Sequence, residues 1–253
     1  VEKPIAIGAH DYKKLRQLEA ASATKFTVNH QLRYHEKTLE FVDRVRQGQI
    51  GKVRCLDASA KLPMNGQGVH VLDLMFAYAG YTEIRSVHAA CSGFDDINGT
   101  HPSPNTASAL ITFVDEKRGV LQSGEGVPET AQGVGRHMHK RCAVYGETGF
   151  LHWKMNGWEM GINGNYSSGE HEYGVVDNVG QANLVRAVFH WLETGEPTPT
   201  DLATALDEWL VILACYASTV EQAPITFPYD PPEDLLQQYI TFVGAQWTDP
   251  HGG

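Results

Sequence analysis

Between residues 82 and 155 the chain offers five short strand-like stretches in a row, at 82–91, 105–114, 117–124, 137–145 and 149–155. Turn-forming segments connect them, among them Glu116-Lys117-Arg118-Gly119 and Gly146-Glu147-Thr148-Gly149. The two pairs joined by these turns cannot be parallel, because a parallel pair needs a crossover of about a dozen residues or more. The spacing therefore predicts a mostly antiparallel sheet. A further strand over 52–60 and a short apolar helix over 69–78, ended by Gly80, precede it.

The first 50 residues follow another rule. Residues 1–7 read as an extended piece, and His10 to Ala21 as a helix with Leu15, Leu18 and Ala21 at helical spacing. Lys25 to Asn29 reads as a strand with Phe26 and Val28 on one side. Glu36 to Arg46 reads as a helix with Leu39, Val42 and Val45 on one face, closed by Gly48 and Gly51. Strand, helix, strand, helix is the mark of a parallel α/β layer. This stretch is too short for a complete doubly wound domain.

Two long helices are expected near the end. The first, 178–193, carries Leu184, Val185, Val188, Trp191 and Leu192 as an apolar stripe, with Gly195 placed to cap it. The second begins near Thr198-Pro199-Thr200-Asp201, with Pro just inside the helix, and has the stripe Leu206, Trp209, Leu210, Leu213 and Tyr216. Both stripes are expected to pack on the sheet. Residues 93–105 and 164–175 read as loops, and the Pro- and Asp-rich tail after Pro228 as a surface wrap.

Composition narrows the function. At 253 residues with 42% hydrophobic residues, the chain can bury a core without disulfides. A formal charge of −10 argues against a broad phosphate-binding surface, so no nucleic-acid partner is expected. No run approaches about 20 consecutive apolar residues, so no membrane span is expected. Glu2 and Lys3 begin the chain without the apolar run of a signal peptide. Cys55, Cys91, Cys142 and Cys215 lack C-x-x-C spacing and sit in apolar stretches, as buried reduced thiols of a cytoplasmic protein would. The sequons Asn98-Gly99-Thr100 and Asn165-Tyr166-Ser167 carry meaning only in a secreted chain.

Glu2-Lys3-Pro4 and Gly68-Val69-His70-Val71-Leu72-Asp73 are the chemical landmarks. A lysine at a strand end and a histidine at a helix start could converge on one small polar substrate. Between them stand Leu32-Arg33-Tyr34 and Gln49-Ile50-Gly51 with Gly48 in front. In this order, from Glu2 to about Pro228, the chain resembles the Gfo/Idh/MocA oxidoreductases, the family of glucose-fructose oxidoreductase and inositol dehydrogenase. In that family the Glu-Lys-Pro motif follows a nucleotide-binding domain. The resemblance implies a substrate half whose cofactor half is largely absent from this sequence.

The resemblance implies an NAD- or NADP-dependent dehydrogenase that moves a hydride between the nicotinamide and a secondary alcohol of a sugar, inositol or related polyol. Lys3 matches the lysine between nicotinamide and substrate, where a cation can stabilise a developing alkoxide; an exposed N-terminal lysine is the plainer reading. His70 matches the histidine that exchanges the hydroxyl proton; packing at a helix start is its plainer reading. Arg33 matches a residue that contacts cofactor phosphate, substrate or an interdomain carboxylate. Asp73 binds substrate or orients a helix end. Lys3, Pro4 and Arg33 are the expected cofactor contacts.

One position departs from the family pattern. Where the family carries an acidic residue four positions before the histidine, this chain has Gly66, next to Asn65. Either the register slips and Asn65 serves the substrate, or the carboxylate is missing. His137, His139 and Arg141 alternate along the expected strand 137–145 and would share a face toward substrate or a second subunit. No metal site is expected from them.

Other motifs fail. Gly66-Gln67-Gly68 has Val71 where a dinucleotide fingerprint needs its third glycine, and Gly133-Val134-Gly135 has Met138 there. The expected architecture is α/β, α+β for the larger part. Residues 1–48 would be the end of a doubly wound Rossmann domain. Residues 49–253 would form a substrate-binding and oligomerisation domain with a mostly antiparallel sheet and helices on one face. The expected assembly is a homodimer or homotetramer. The rival reading is a non-catalytic sugar-binding or oligomerisation module that has lost the cofactor domain.

Overall fold

Nine strands make one sheet in the computed structural model, which describes residues 1–93 and 102–248. They are β1 (Val53–Ala60), β2 (Ile84–Ser92), β3 (Thr106–Phe113), β4 (Arg118–Gly124), β5 (Lys140–Gly146), β6 (Gly149–Lys154), β7 (Gly157–Ile162), β8 (Asn165–Glu170) and β9 (Ile225–Thr226). The spatial order is β8-β7-β6-β5-β1-β4-β3-β2-β9. Every neighbouring pair is antiparallel except β1 and β4. Those two are parallel because the chain leaves β1 through a helix and the β2–β3 pair before it returns.

That crossover helix, α3 (Val69–Ala79), positions His70 and Asp73. All eleven of its residues are buried, as a helix apolar on every side must be. It ends at Gly80, whose φ of 71° supplies the left-handed turn. α3 packs on β1 and β5, and α5 (Leu202–Glu221) packs beside it on β2. α5 is stitched to the sheet by side chains: Ala89 N donates to Ser218 Oγ at 2.9 Å and Cys91 N to Thr219 Oγ1 at 3.1 Å.

By length and composition α5 could cross a membrane, with a mean hydropathy of 1.3. Its apolar residues instead form the core, with Leu206, Trp209, Leu213 and Tyr216 all buried. The expected Pro at its first turn lies ahead of it; Asp201 is the cap, accepting from Thr204 N at 2.8 Å.

The first 50 residues correct the sequence reading. α1 (Ala9–Ala21) and α2 (Glu36–Arg46) form, but residues 1–7 and 25–29 make no strand. The 25–29 stretch instead meets residues 200–202, with a single bridge between Thr27 and Asp201. Val1 touches it in the parallel manner, donating to Thr27 O and accepting from Asn29 N, both at 2.8 Å. Val28 is buried while Phe26 is exposed, so the two do not share a face. On α1 Leu18 is exposed and Tyr12 buried, and on α2 Phe41 replaces Leu39 as the buried residue.

The later expectations also shift. The loop expected at 164–175 is strand β8 followed by the start of α4 (Tyr173–Thr194). β7 and β8 turn on Asn163 and Gly164, both at positive φ (50° and 81°), the conformation that Asn-Gly favours in a two-residue hairpin. The α4 stripe is not a core contact: Val185 and Leu192 are 50% and 59% exposed, and of its five residues only Leu184 is buried; the neighbouring Phe189 is exposed too. The tail forms α6 (Leu235–Thr248) and buries Leu235, Tyr239 and Val243, with Tyr239 stacked on Tyr216 at 4.8 Å. Residues 94–101, with most of the expected 93–105 loop and the sequon at Asn98, lie outside the described residues.

Candidate active site

Lys3 and His70 meet through the turn that feeds α3. Residues Met64–Gly68 coil into one wide π turn, and Lys3 Nζ donates to the Gly66 carbonyl there. Lys3 and Pro4 are joined by a cis peptide. Burial lowers the Lys3 ammonium from its ordinary value, against a smaller opposing pull from Glu2.

His70 is 4% exposed, and its Nδ1 is buried with no partner among the described residues. Burial pushes the imidazole well below its ordinary value; His30, Lys3, Lys140 and His35 push the same way. The ring is therefore neutral near pH 7, the form that accepts a proton. The His30 ring meets it edge-on, with centroids 5.6 Å apart.

Arg33 and Asp73, both expected to touch substrate, are locked to each other. Arg33 Nε donates to Asp73 Oδ2 at 3.0 Å, and its terminal nitrogen donates to Oδ1 at 2.6 Å and to the Asp73 carbonyl at 2.5 Å. Both side chains are buried, and the Tyr81 ring lies under the guanidinium at 5.1 Å. Asn65 is also fully engaged. Its backbone N donates to Ser103 Oγ at 3.2 Å, its side-chain amide donates to the Pro102 carbonyl, and its Oδ1 accepts from Tyr216 at 2.9 Å.

Sequence reasoning missed four members of this cluster. Lys140, the first residue of β5, is 4% exposed, and its Nζ donates to the His137 carbonyl at 2.5 Å. Burial, with Lys3 adding to it, lowers its ammonium to about 8. His30 and His35 lie in the Gln31–Tyr34 turn region, where His35 Nε2 stands 3.2 Å from Asp177 Oδ1 of α4. Gly180 permits that contact, because a Cβ there would come within 2.6 Å of the His35 ring. Glu208, on α5, is buried one turn from Ala205 and Ile212, a helical spacing visible in the sequence.

The alternation expected of His137, His139 and Arg141 does not occur. Arg136–Met138 is a 3₁₀ turn, and β5 starts only at Lys140. His139 is buried and accepts from Thr130 N at 3.1 Å, while Arg141 pairs with Asp57 at 2.8 and 3.0 Å. His30, Asp73 and Glu208 bring ligand atoms within 4.8 Å of one another, as a metal site would. Arg33 already fills that place, 2.6 Å from Asp73 and 3.6 Å from Glu208.

A neutral histidine with an unused ring nitrogen and a half-buried lysine are what an alcohol–carbonyl exchange needs. Among the described residues none builds the pyrophosphate grip, a Gly-rich turn from a parallel strand into a helix N-terminus. Gly66-Gln67-Gly68 belongs to the π turn, and Gly133-Val134-Gly135 precedes a 3₁₀ turn.

This sheet, its parallel β1–β4 pair and the helices on one face define a mixed α/β fold shared with oxidoreductases that combine a Rossmann domain with a sheet domain. No family model and no curated protein matches the sequence. Among solved structures, the chain is similar to a levoglucosan dehydrogenase in complex with NADH and levoglucosan, at 14% identity and a TM-score of 0.74, over 90% of this chain and 73% of that one. An Agrobacterium radiobacter oxidoreductase in complex with NAD+, L-tartaric acid and magnesium gives 14% and 0.72, over 89% and 71%. A Caulobacter crescentus aldose-aldose oxidoreductase complexed with glycerol gives 16% and 0.71, over 89% and 71%. At these identities the likeness is one of fold.

Proposed function

We propose that the chain is the substrate-side part of an NAD- or NADP-dependent oxidoreductase acting on a secondary alcohol of a sugar, inositol or related polyol. One observation carries the reading: Lys3 is bound to the turn that delivers His70, and His70 is buried with a free Nδ1. The fold it shares with sugar oxidoreductases supports the same class.

When bound, the nicotinamide supplies the hydride acceptor or donor. The chain's own residues handle the proton and the oxygen. His70 takes the hydroxyl proton as a neutral base, and Lys3 holds the oxygen as negative charge builds on it. Arg33 and Asp73 act as the frame, since their mutual bonds fix α3 against the turn before α2. Asn65, whose polar atoms are all engaged, holds the π turn to α5. Pro4 follows Lys3 and shapes the segment that faces the cofactor.

The chain is placed in a reducing cytoplasm, a reading supported by four unpaired thiols, three of them buried. Its partner is another copy of itself, in a dimer or tetramer through the open sheet face, where Leu110, Tyr145 and Tyr166 are exposed. No nucleic acid or membrane is assigned as a partner.

A second reading, a non-catalytic sugar-binding or oligomerisation module, is favoured by Gly66. It supplies no carboxyl group where the family pattern has one, and a Cβ there would meet nothing within 4 Å, so crowding does not account for the glycine. Calorimetric titration with NAD and NADP, with and without inositol and common sugars, separates the two. Cofactor heat followed by hydride transfer supports the enzyme; sugar heat with no hydride transfer, even when a nicotinamide-binding domain is supplied with the chain, supports the module.

A further inference from the structure

α5 presents one carboxyl group to the interior beside the proposed site. Glu208 is 4% exposed. Its Oε2 stands 3.9 Å from His30 Nε2, and its Oε1, 3.6 Å from the Arg33 guanidinium, has no hydrogen-bond partner. Beyond His30 comes His70, edge-on at 5.6 Å. His30 Nδ1 and His70 Nδ1 are likewise buried and, among the described residues, unpartnered, as is Glu208 Oε1. Three titratable side chains in succession thus hold unused polar atoms in dry protein, an arrangement that costs stability unless it serves a purpose or holds water.

A cavity of about 10 Å³ lies among Lys3, His30 and Glu208, walled by Pro4, Leu72 and Trp209. That is about the room one water needs, and the polar atoms around it can hold one. A water there would bridge the 3.9 Å between Glu208 and His30, which is too long for a direct hydrogen bond.

We propose that Glu208, His30 and His70 form a proton relay in which Glu208 is the buried proton store. The proposal rests on the oxidoreductase reading and adds a carboxyl group, from α5, where the Gly66 position has none. In carbonyl reduction the substrate oxygen takes a proton from a His70 ring nitrogen. His70 takes one from His30 on its other nitrogen once a ring rotation closes the gap between the two edge-on imidazoles, and His30 takes one from the Glu208 carboxyl through the cavity water. Each imidazole loses one proton and gains one, so both stay neutral. Glu208 is left as a carboxylate beside Arg33, and the electron pair arrives as the hydride of the reduced nicotinamide. Alcohol oxidation runs the same transfers backward.

The surroundings agree with these protonation states. The groups facing Glu208 are His30 and Arg33 before α2, Asp73 on α3, Asp207 on its own helix and Lys3 of the N-terminal segment. Burial, with Asp73 adding to it, raises the Glu208 carboxyl well above the ordinary range despite Arg33. Burial lowers His30 and His70, so both rings are neutral when Glu208 carries its proton.

Infrared spectroscopy of the purified chain, with isotope-labelled glutamate, tests the store without any cofactor. The expected result is the carbonyl band of a protonated carboxylic acid at neutral pH, lost in Glu208→Gln. Absence of the band from the wild-type chain overturns the proposal, and so does its persistence in the variant; the wild-type spectrum needs no variant to fold. With a sugar that is turned over, Glu208→Gln lowers kcat on the order of 10²-fold with KM unchanged, and Glu208→Asp restores part of it. Undiminished turnover in Glu208→Gln overturns the relay. Failure of every sugar and cofactor pair in a protein that joins this chain to a nicotinamide-binding domain sinks the oxidoreductase reading, while the infrared band still decides the proton store.

Discussion

The Lys3 ammonium donates to the Gly66 carbonyl, and this one bond fastens the N-terminal segment to the turn four residues ahead of His70. Two groups 67 positions apart in the chain are thereby brought to one place, with Lys3 among the cations that keep His70 neutral.

Removing that cation moves the histidine. Lys3→Met deletes a charge that lowers the His70 imidazole, so its titration shifts upward. Histidine NMR across neutral pH checks the direction; an unmoved or lowered His70 would break the link. In a cofactor-loaded protein the same variant loses hydride transfer on the order of 10²-fold.

Arg33 and Asp73 are each other's compensation in a water-free place. Arg33→Met leaves the Asp73 carboxylate buried and unpaired, and about 3–5 kcal/mol of stability should go. Asp73→Leu added to Arg33→Met should recover part of it, because no buried charge is then left at that pair. Urea unfolding of the two variants is the check.

Lys140 links stability to alkaline pH. Its folded value of about 8 lies below the ordinary 10.5, so between these the unfolded chain binds more protons than the folded one. Stability therefore rises with pH through that window, and the burden of the charged lysine is fully present below about pH 8. Lys140→Met should be the more stable protein at pH 7, by about 3 kcal/mol at most, and the advantage should shrink toward pH 10. Paired urea titrations at stepped pH follow this difference, in which the tyrosines common to both proteins cancel. A constant difference would show that Lys140 keeps its proton.

The helices α4 and α5 look equally amphipathic in sequence yet should respond oppositely. Phe189→Ser and Leu192→Ser fall on exposed positions and should stay within about 0.5 kcal/mol. Leu206→Ala and Leu213→Ala open cavities in the core and should cost about 2–5 kcal/mol each. Thermal unfolding of the four variants decides between the two packings.

Period and punctuation made much of the sheet readable. The stretches at 82–91, 105–114, 117–124 and 149–155 all became strands, because turn residues and alternating burial act locally. β7 and β8 were overlooked although Asn163-Gly164 announces their hairpin; β8 is an edge strand of mostly polar residues and has little hydrophobic pattern to read. The strand expected at 25–29 failed because a strand needs a continuous partner, and here it meets only the single residue Val1 on one side and residues 200–202 on the other among the described residues.

Lys3, Arg33, Asn65, His70 and Asp73 could be nominated from residue type and order. That His70 is a helix-start residue and that α3 and α5 are apolar helices follow from the sequence alone, since spacing and caps are properties of neighbours in the chain. Tertiary structure alone decided that Arg33 closes on Asp73, that Lys140, His30 and Glu208 crowd the same space, and that the α4 stripe faces outward. Those outcomes depend on which surfaces meet and which charges lose water, and both are set by residues tens to hundreds of positions apart.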